Sequence, residues 1–321
     1  MDNNEKNGAK ITVLGAGNVG ATIAYTLAVA GTCSDLVLVD INKDKAEGEA
    51  MDIRQGLAFC PAVTIRSDDY AAAADSDIVI VTLGIGRKPG QSRIDLAQTN
   101  INIVKSVMPQ VAEVAPNAVY IVVSNPVDIL TYAAIHSAGL SPDQVIGSGT
   151  MLDSSRLRSI LAERMNLNVK NVHAYVFGEH GDTSMIPWSL ASAGGMKVGE
   201  FQAAAPDRAA PLDQAGFNEM EQAVRCAGAE VIRRKGATFY AIALSVREIC
   251  DAILRDSGEV MTVSSLLRGE YGMKDVCLSL PCIVGIHGIA QRIQPALLPE
   301  EEAALRSSGE ALRAVIDQLQ I

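Results

Sequence analysis

No apolar run in this sequence approaches the roughly 18 residues needed to cross a bilayer. The longest, such as Ile78–Leu83 and Val119–Val123, have the length of buried strands. An excess of positive charge is missing as well. With 27 Lys+Arg against 37 Asp+Glu the formal net charge is −10, which argues against nucleic acid as the main partner, because neutralising phosphates needs clustered basic charge. The polar opening MDNNEKNGAK has no apolar leader region, so a cytoplasmic protein without a secretory signal is expected. Six cysteines (Cys33, Cys60, Cys226, Cys250, Cys277 and Cys282) form no C-x-x-C pair. Five lie in apolar surroundings and read as reduced core residues, with neither a metal site nor a disulfide frame expected. Internal repeats, low-complexity linkers and heptad arrays are also lacking. Core material is ample: 48% of the 321 residues are hydrophobic and 20% charged, the balance of a compact, soluble protein of about two domains.

The first half alternates short Val/Ile-rich runs with amphipathic stretches. Strands are expected at Lys10–Leu14, Leu36–Val39, Val63–Arg66, Asp77–Leu83, Ala118–Ser124 and Val145–Ser148, with helices near 18–30, 43–57, 94–115 and 127–138. Runs apolar on both faces suit a covered parallel sheet, and the alternation implies an α/β, doubly wound fold of the Rossmann type. This domain is placed at residues 1–148. The remainder, 149–321, reads as a mixed α+β domain: a helix over Leu152–Met165, long helices near 212–234, 237–256 and 299–320, and strand pieces at 172–177, 259–267, 276–280 and 283–287.

Gly15-Ala16-Gly17-Asn18-Val19-Gly20 follows a strand and opens a helix. Missing side chains permit a tight turn, close approach of a pyrophosphate and close helix–strand packing, while the helix N-terminus offers free N–H groups to the phosphates. The next strand ends at Asp40, 20 residues beyond Gly20. A carboxylate there accepts hydrogen bonds from ribose hydroxyls and repels a 2′-phosphate, which favours NAD over NADP. Further on, Asp153 and Arg156 share a helix face at a spacing of three residues, whereas Arg158 lies about 200° round from Arg156 and points elsewhere. His180 sits in Gly178-Glu179-His180-Gly181-Asp182, between glycines at a strand end.

GAGNVG, Asp40, KPGQSR, SNPVD, LDSSRLR and GEHGD occur in order along the chain, and this set resembles the NAD-dependent L-lactate/L-malate dehydrogenases over essentially its whole length. The resemblance implies that His180 is the proton donor in 2-oxo acid reduction, that Asp153 holds its tautomer and stabilises its protonated form, and that Arg156 grips the substrate carboxylate with two parallel hydrogen bonds. Arg93 would polarise the carbonyl. Asn125, joined to Pro126 by a cis bond in the relatives, would contact substrate and cofactor, as Gly84 would the cofactor. No metal is required by this chemistry.

Residues 84–93 look like the family's mobile lid, with Arg87 at the position where lactate dehydrogenases usually carry glutamine and malate dehydrogenases arginine. A guanidinium closed over pyruvate would be buried without a partner, whereas oxaloacetate presents it a second carboxylate. Oxaloacetate/L-malate is therefore the favoured pair, with pyruvate/L-lactate as the alternative. GEHGDTS, GSGTMLDSSRLR and KGATFYAIA, including the pocket residue Thr238, resemble the lactate branch. That branch implies a homotetramer (or dimer), with Arg158 and His173 at positions that bind fructose 1,6-bisphosphate in bacterial lactate dehydrogenases. A non-catalytic NAD(H)-sensing module would not need His180, Asp153, Arg156 and Arg93 together. An NAD-dependent family 4 glycosidase would need a Cys/His metal site, which no cysteine segment here matches.

Overall fold

In a computed structural model, which describes residues 8–86, 90, 92–207 and 213–321, the first half runs β1 (Lys10–Leu14), α1 (Asn18–Ala30), β2 (Asp35–Val39), α2 (Lys43–Gln55), β3 (Thr64–Asp68), β4 (Ile78–Val81), α3 (Arg93–Val114), β5 (Val119–Val122), α4 (Val127–Ala138) and β6 (Val145–Gly147). The strands pair in parallel in the order β3-β2-β1-β4-β5-β6. Period-two side-chain alternation explains why both faces are covered. Ile11, Val13, Ile78, Ile80, Val119 and Ile121 point into one apolar layer, and Leu14, Val79, Val81, Tyr120 and Val122 into the other. Helices α1 and α2 cover the first layer, α3 and α4 the second. Chain order reverses between β1 and β4, and a doubly wound sheet opens a binding crevice at that point.

The second half begins with α5 (Met151–Arg164) and continues through β7 (Val172–His173), β8 (Ser192–Ala193), β9 (Met196–Lys197), α6 (Val198–Ala204), α7 (Gln214–Lys235), α8 (Tyr240–Leu254), β10 (Glu259–Arg268), β11 (Lys274–Gly285), β12 (Gly288–Arg292) and α9 (Pro299–Ile316). Strands β10–β12 extend the first-half sheet. β10 lies antiparallel against β6 with Ser264 opposite Gly147. Glycine is needed there: a Cβ on Gly147 would lie 2.4 Å from Thr131 Oγ1 and 2.8 Å from the Ser264 Cβ. Helix α8 packs with α1 and α2 on one face of the common sheet, and α9 with α3 and α4 on the other. A third apolar cluster ties α5 to α7 and β7 through Leu157, Leu161, Val172, Met220 and Val224.

Two differences from the sequence reading have local causes. The pieces at 276–280 and 283–287 join in one strand, β11, which ends at Gly285 before a turn at 286–287. Pro281 breaks nothing because pairing with β12 reaches only to Cys282, and its carbonyl still accepts the Ile293 N–H at 2.8 Å. The stretch 172–177 is strand only over Val172–His173; beyond it, isolated bridges Phe177–Met185 and Gly178–Ser279 hold the chain. Four of the six cysteines are buried, whereas Cys60 is half-buried and Cys226 exposed; all are free thiols. Among the described residues no helix is long and apolar enough to cross a membrane, and no group of His, Cys, Asp or Glu could hold a metal ion.

Candidate active site

The glycine-rich turn has the shape its sequence requires. Gly15 adopts φ +100°, and its N–H donates to the Val39 carbonyl at 2.7 Å. A Cβ on Gly20 would stand 1.9 Å from the Gly15 carbonyl oxygen, so only glycine lets α1 close on β1. A Cβ on Gly17 would meet nothing within 4 Å, so space lies open in front of the α1 N-terminus, where Asn18 is exposed and Val19 half-buried. Asp40 accepts the Ala16 N–H at 2.7 Å and the Asn42 N–H at 2.8 Å. Its carboxylate is thereby pinned beside the turn. An open cradle, an uncapped helix N-terminus and a fixed acid at the end of β2 together fit a dinucleotide whose ribose carries free hydroxyls.

A cavity of about 300 Å³ begins at Val19 and Asn125 and ends among Asp153, Arg156, His180, Arg225 and Thr238. Asn125 precedes the cis Asn125–Pro126 bond at the start of α4. Asn100 on α3 braces this end of the site. Its amide donates to the Asn125 carbonyl at 2.9 Å, and its Oδ1 accepts the Ile85 N–H at 2.9 Å, one residue beyond Gly84 at φ +133°. Helix α5 supplies the charged wall, and its start is fixed by Thr150: the N–H donates to Ser279 Oγ at 3.1 Å and the hydroxyl to the Val176 carbonyl.

Asp153 is the centre of the polar cluster. One carboxylate oxygen accepts from Arg156 Nη1 at 2.8 Å, and the other meets His180 Nδ1 at 2.5 Å. Burial alone would push the Asp153 carboxyl upward, but the hydrogen bond and charge of His180, with Arg156, hold it below the ordinary aspartate range. Burial likewise acts to lower the His180 pKa. The bond to Asp153, together with the negative charges of Asp153 and Asp128, outweighs it and leaves the imidazole above its ordinary value. The histidine side chain is 26% exposed and reaches the cavity.

Arg158 points away from Arg156, as its spacing requires. Its Nε donates to the Val172 carbonyl at 2.9 Å, next to exposed His173, and it lines a separate groove with Tyr175, Glu248 and Glu259. Arg93 stands in the first turn of α3 behind the Ser92–Asp95 capping box, 76% exposed, and pairs with Asp182 at 2.5 Å on the cavity rim. Such an exposed pair contributes at most about 1 kcal/mol and is easily exchanged. Arg87 lies outside the described residues.

Sequence reading missed Asp128, Asn100 and Arg225. Arg225 donates twice to the Ser184 carbonyl, at 3.3 and 2.7 Å, tying α7 to the chain beyond His180. Asp128 is 2% exposed, and its carboxylate accepts the His180 main-chain N–H at 2.8 Å and the Ser264 hydroxyl at 2.5 Å. The available signal was a lone acid in the apolar run VDILTYAAI, immediately after SNP; a buried carboxylate needs a partner.

Comparison with known proteins agrees with this geometry. The family model for the lactate/malate dehydrogenase NAD binding domain matches residues 9–147, and that for the lactate/malate dehydrogenase alpha/beta C-terminal domain matches 150–320. L-lactate dehydrogenase 1 of Clostridium acetobutylicum is 46% identical over 314 residues, covering 98% of this chain and 99% of that protein. The L-lactate dehydrogenase of Acetivibrio thermocellus is 44% identical over 319 residues, covering 99% and 100%. Among solved structures, the minor L-lactate dehydrogenase of Enterococcus mundtii superposes with a TM-score of 0.92 at 36% identity, covering 98% of this chain and 99% of that one. Fold, cradle and polar cluster thus define an NAD-dependent oxidoreductase acting on the CH–OH group of small 2-hydroxy acids. The chain belongs to the lactate/malate dehydrogenase family.

Gly20→Val should raise the dissociation constant for NADH roughly tenfold or more, because the added atoms collide with Gly15. Titration of NADH fluorescence measures this without any substrate; unchanged affinity would place the nucleotide elsewhere.

Proposed function

We propose that the chain reduces pyruvate to L-lactate with NADH, reversibly, and that residues 1–148 hold the cofactor while 149–321 supply the catalytic wall. The carrying observation is the His180–Asp153–Arg156 cluster at the end of a cavity that opens on the dinucleotide cradle. Relatives 43–46% identical along nearly the full chain, named L-lactate dehydrogenases, favour the monocarboxylic substrate over the oxaloacetate that Arg87 alone suggested.

Gly15, Gly17, Asn18, Val19, Gly20, Asp40, Gly84 and Asn125 hold NAD, which supplies the hydride when bound. Arg156 binds the substrate carboxylate bidentately, its orientation fixed by Asp153. With Nδ1 hydrogen-bonded to Asp153, a neutral His180 ring carries its single proton on that nitrogen and leaves Nε2 bare. Only the imidazolium then offers Nε2–H to the carbonyl oxygen, and it passes this proton to the alkoxide as the C–H bond forms. Asp153 raises the proton affinity of the ring and so favours the imidazolium. Arg93, released from Asp182, stabilises charge growing on the same oxygen. Thr238 and Asn125 shape the pocket around the substrate.

Arg87 favours a second reading, in which a dicarboxylic 2-oxo acid pairs with its guanidinium. Side-by-side kcat/KM values for NADH oxidation decide. The proposal expects pyruvate to exceed oxaloacetate by about tenfold or more, a difference of only about 1.4 kcal/mol. The opposite ranking, shifted toward pyruvate in Arg87→Gln, would establish the dicarboxylate.

We also propose a homotetramer (or dimer) with a site for a phosphate ester at Arg158 and His173, supported by the bond from Arg158 to the carbonyl of Val172, the residue before exposed His173, and by Arg158 pointing away from the cavity that Arg156 lines. Fructose 1,6-bisphosphate should lower the KM for the 2-oxo acid or raise the assembly mass, and Arg158→Ala should abolish the response. No effect on either quantity in the parent enzyme overturns this part.

A further inference from the structure

We propose that Asp128 is a positioning residue for His180, holding the histidine's main chain in register with Asp153 and adding a second negative charge that favours its protonated ring. The inference rests on the proton-donor role assigned to His180 above. The glycines flanking residues 179–180 leave that segment without rigidity of its own, and Gly178 takes φ +90°. Its fixed geometry comes from neighbours. Ser279 of β11 exchanges both main-chain hydrogen bonds with Gly178 at 3.0 Å, Ser308 of α9 accepts the Glu179 N–H at 3.0 Å, and Asp128 of α4 accepts the His180 N–H at 2.8 Å. Two of these anchors are neutral. The third is a carboxylate, although a serine hydroxyl or a carbonyl would satisfy the same N–H.

That choice is costly for the fold. Asp128 is buried, and its carboxyl is pushed up to about 6 by desolvation, against the opposing hydrogen bonds from Ser264 and the His180 main chain and the charge of His180; the nearby Glu179 raises it further. A structural anchor gains nothing from a group so expensive to ionise. A charge bound to the His180 main chain does gain something, because its field favours the ring form that donates a proton. Other ionisable groups around Asp128 do not replace this function. Cys277 of β11 is held neutral by burial, with the Asp128 charge raising it further. Tyr132, one turn along α4, donates its hydroxyl to Asp275 at 3.0 Å. Arg156 opposes protonation of His180, and Asp153 alone would have to offset both it and desolvation. The two carboxylates divide the work: Asp153 holds the ring, Asp128 the backbone.

The test uses Asp128→Asn, which preserves shape and removes charge. The protein has four histidines, so the His180 ring signal in a proton–carbon NMR titration is assigned by its loss in His180→Asn. In the nucleotide-free protein the His180 titration should fall by about half a pH unit or more in Asp128→Asn. Turnover with NADH and the 2-oxo acid should drop about threefold or more at pH 8, in step with the half-unit shift, while the melting temperature at that pH is equal or higher. An unmoved His180 titration, or turnover equal to the parent, overturns the proposal; a lower melting temperature with an unmoved titration would assign Asp128 a structural role only. If Asp128→Asn does not fold, Ser264→Ala decides, since it leaves Asp128 protonated to higher pH and should shift His180 in the same direction by less. Should the parent fail to reduce 2-oxo acids, or His180→Asn keep its turnover, the functional reading fails separately, and the NMR arm still judges Asp128.

Discussion

One buried carboxylate answers to two cations in this structure, and the arrangement of the active site follows from that demand. Asp153 must remain ionised although it is almost out of solvent, and it does so because His180 and Arg156 approach its two oxygens at 2.5 and 2.8 Å. Loss of either partner would leave one oxygen of a buried carboxylate unmatched, and loss of both would strand its charge, at a cost of several kcal/mol. The same carboxylate therefore fixes both the imidazole ring and the guanidinium. Asp153 and Arg156 are set by a three-residue step on one helix, and His180 is brought to them by a separate segment anchored on β11, α4 and α9.

Holding α5 against the sheet takes contributions from both halves of the chain. Gly149, at φ +51°, turns the backbone from β6 into α5 where a Cβ would collide with the Ser279 hydroxyl at 2.4 Å and the Ser264 nitrogen at 2.5 Å. Ser264 belongs to β10 and Ser279 to β11, the strands that extend the parallel sheet. The segment carrying His180 is then bound to β11, α4 and α9. Cofactor cradle and polar cluster thus share one sheet, so the distance between them is a property of the core. Exposed parts of the site are different in kind: Arg93 and Asp182 pair at the rim, 76% and 73% exposed, where charges are exchanged at little cost.

Most of this architecture was legible in the sequence because periodic patterns carry it. Val/Ile runs apolar on both faces marked the six parallel strands, and the glycine spacing with Asp40 marked the cradle. Helical spacing separated Arg156 from Arg158 correctly. The cis Asn125–Pro126 bond, implied by resemblance, is present. What escaped depends on contacts distant in sequence. Nothing local in VMTVSSLLR announces that Ser264 pairs with Gly147 or donates to Asp128, 136 residues away. The pieces on either side of Pro281 join in one strand because its missing donor matters only where a neighbouring strand needs it. The substrate preference read from Arg87 alone is outweighed by whole-chain likeness to L-lactate dehydrogenases, since specificity belongs to a pocket of many side chains.

Asp153 overrides burial and raises the proton affinity of the His180 ring above its ordinary value. Oxamate, an unreactive mimic of pyruvate, reports on this directly, because its carbonyl oxygen needs the Nε2–H that only the imidazolium carries. Its dissociation constant from the protein–NADH complex should be measured across pH 5 to 9. A flat region should give way, above the ordinary histidine value of about 6.5, to a tenfold weakening per pH unit with one proton taken up on binding. Affinity independent of pH, or a break well below that value, would contradict this role of Asp153.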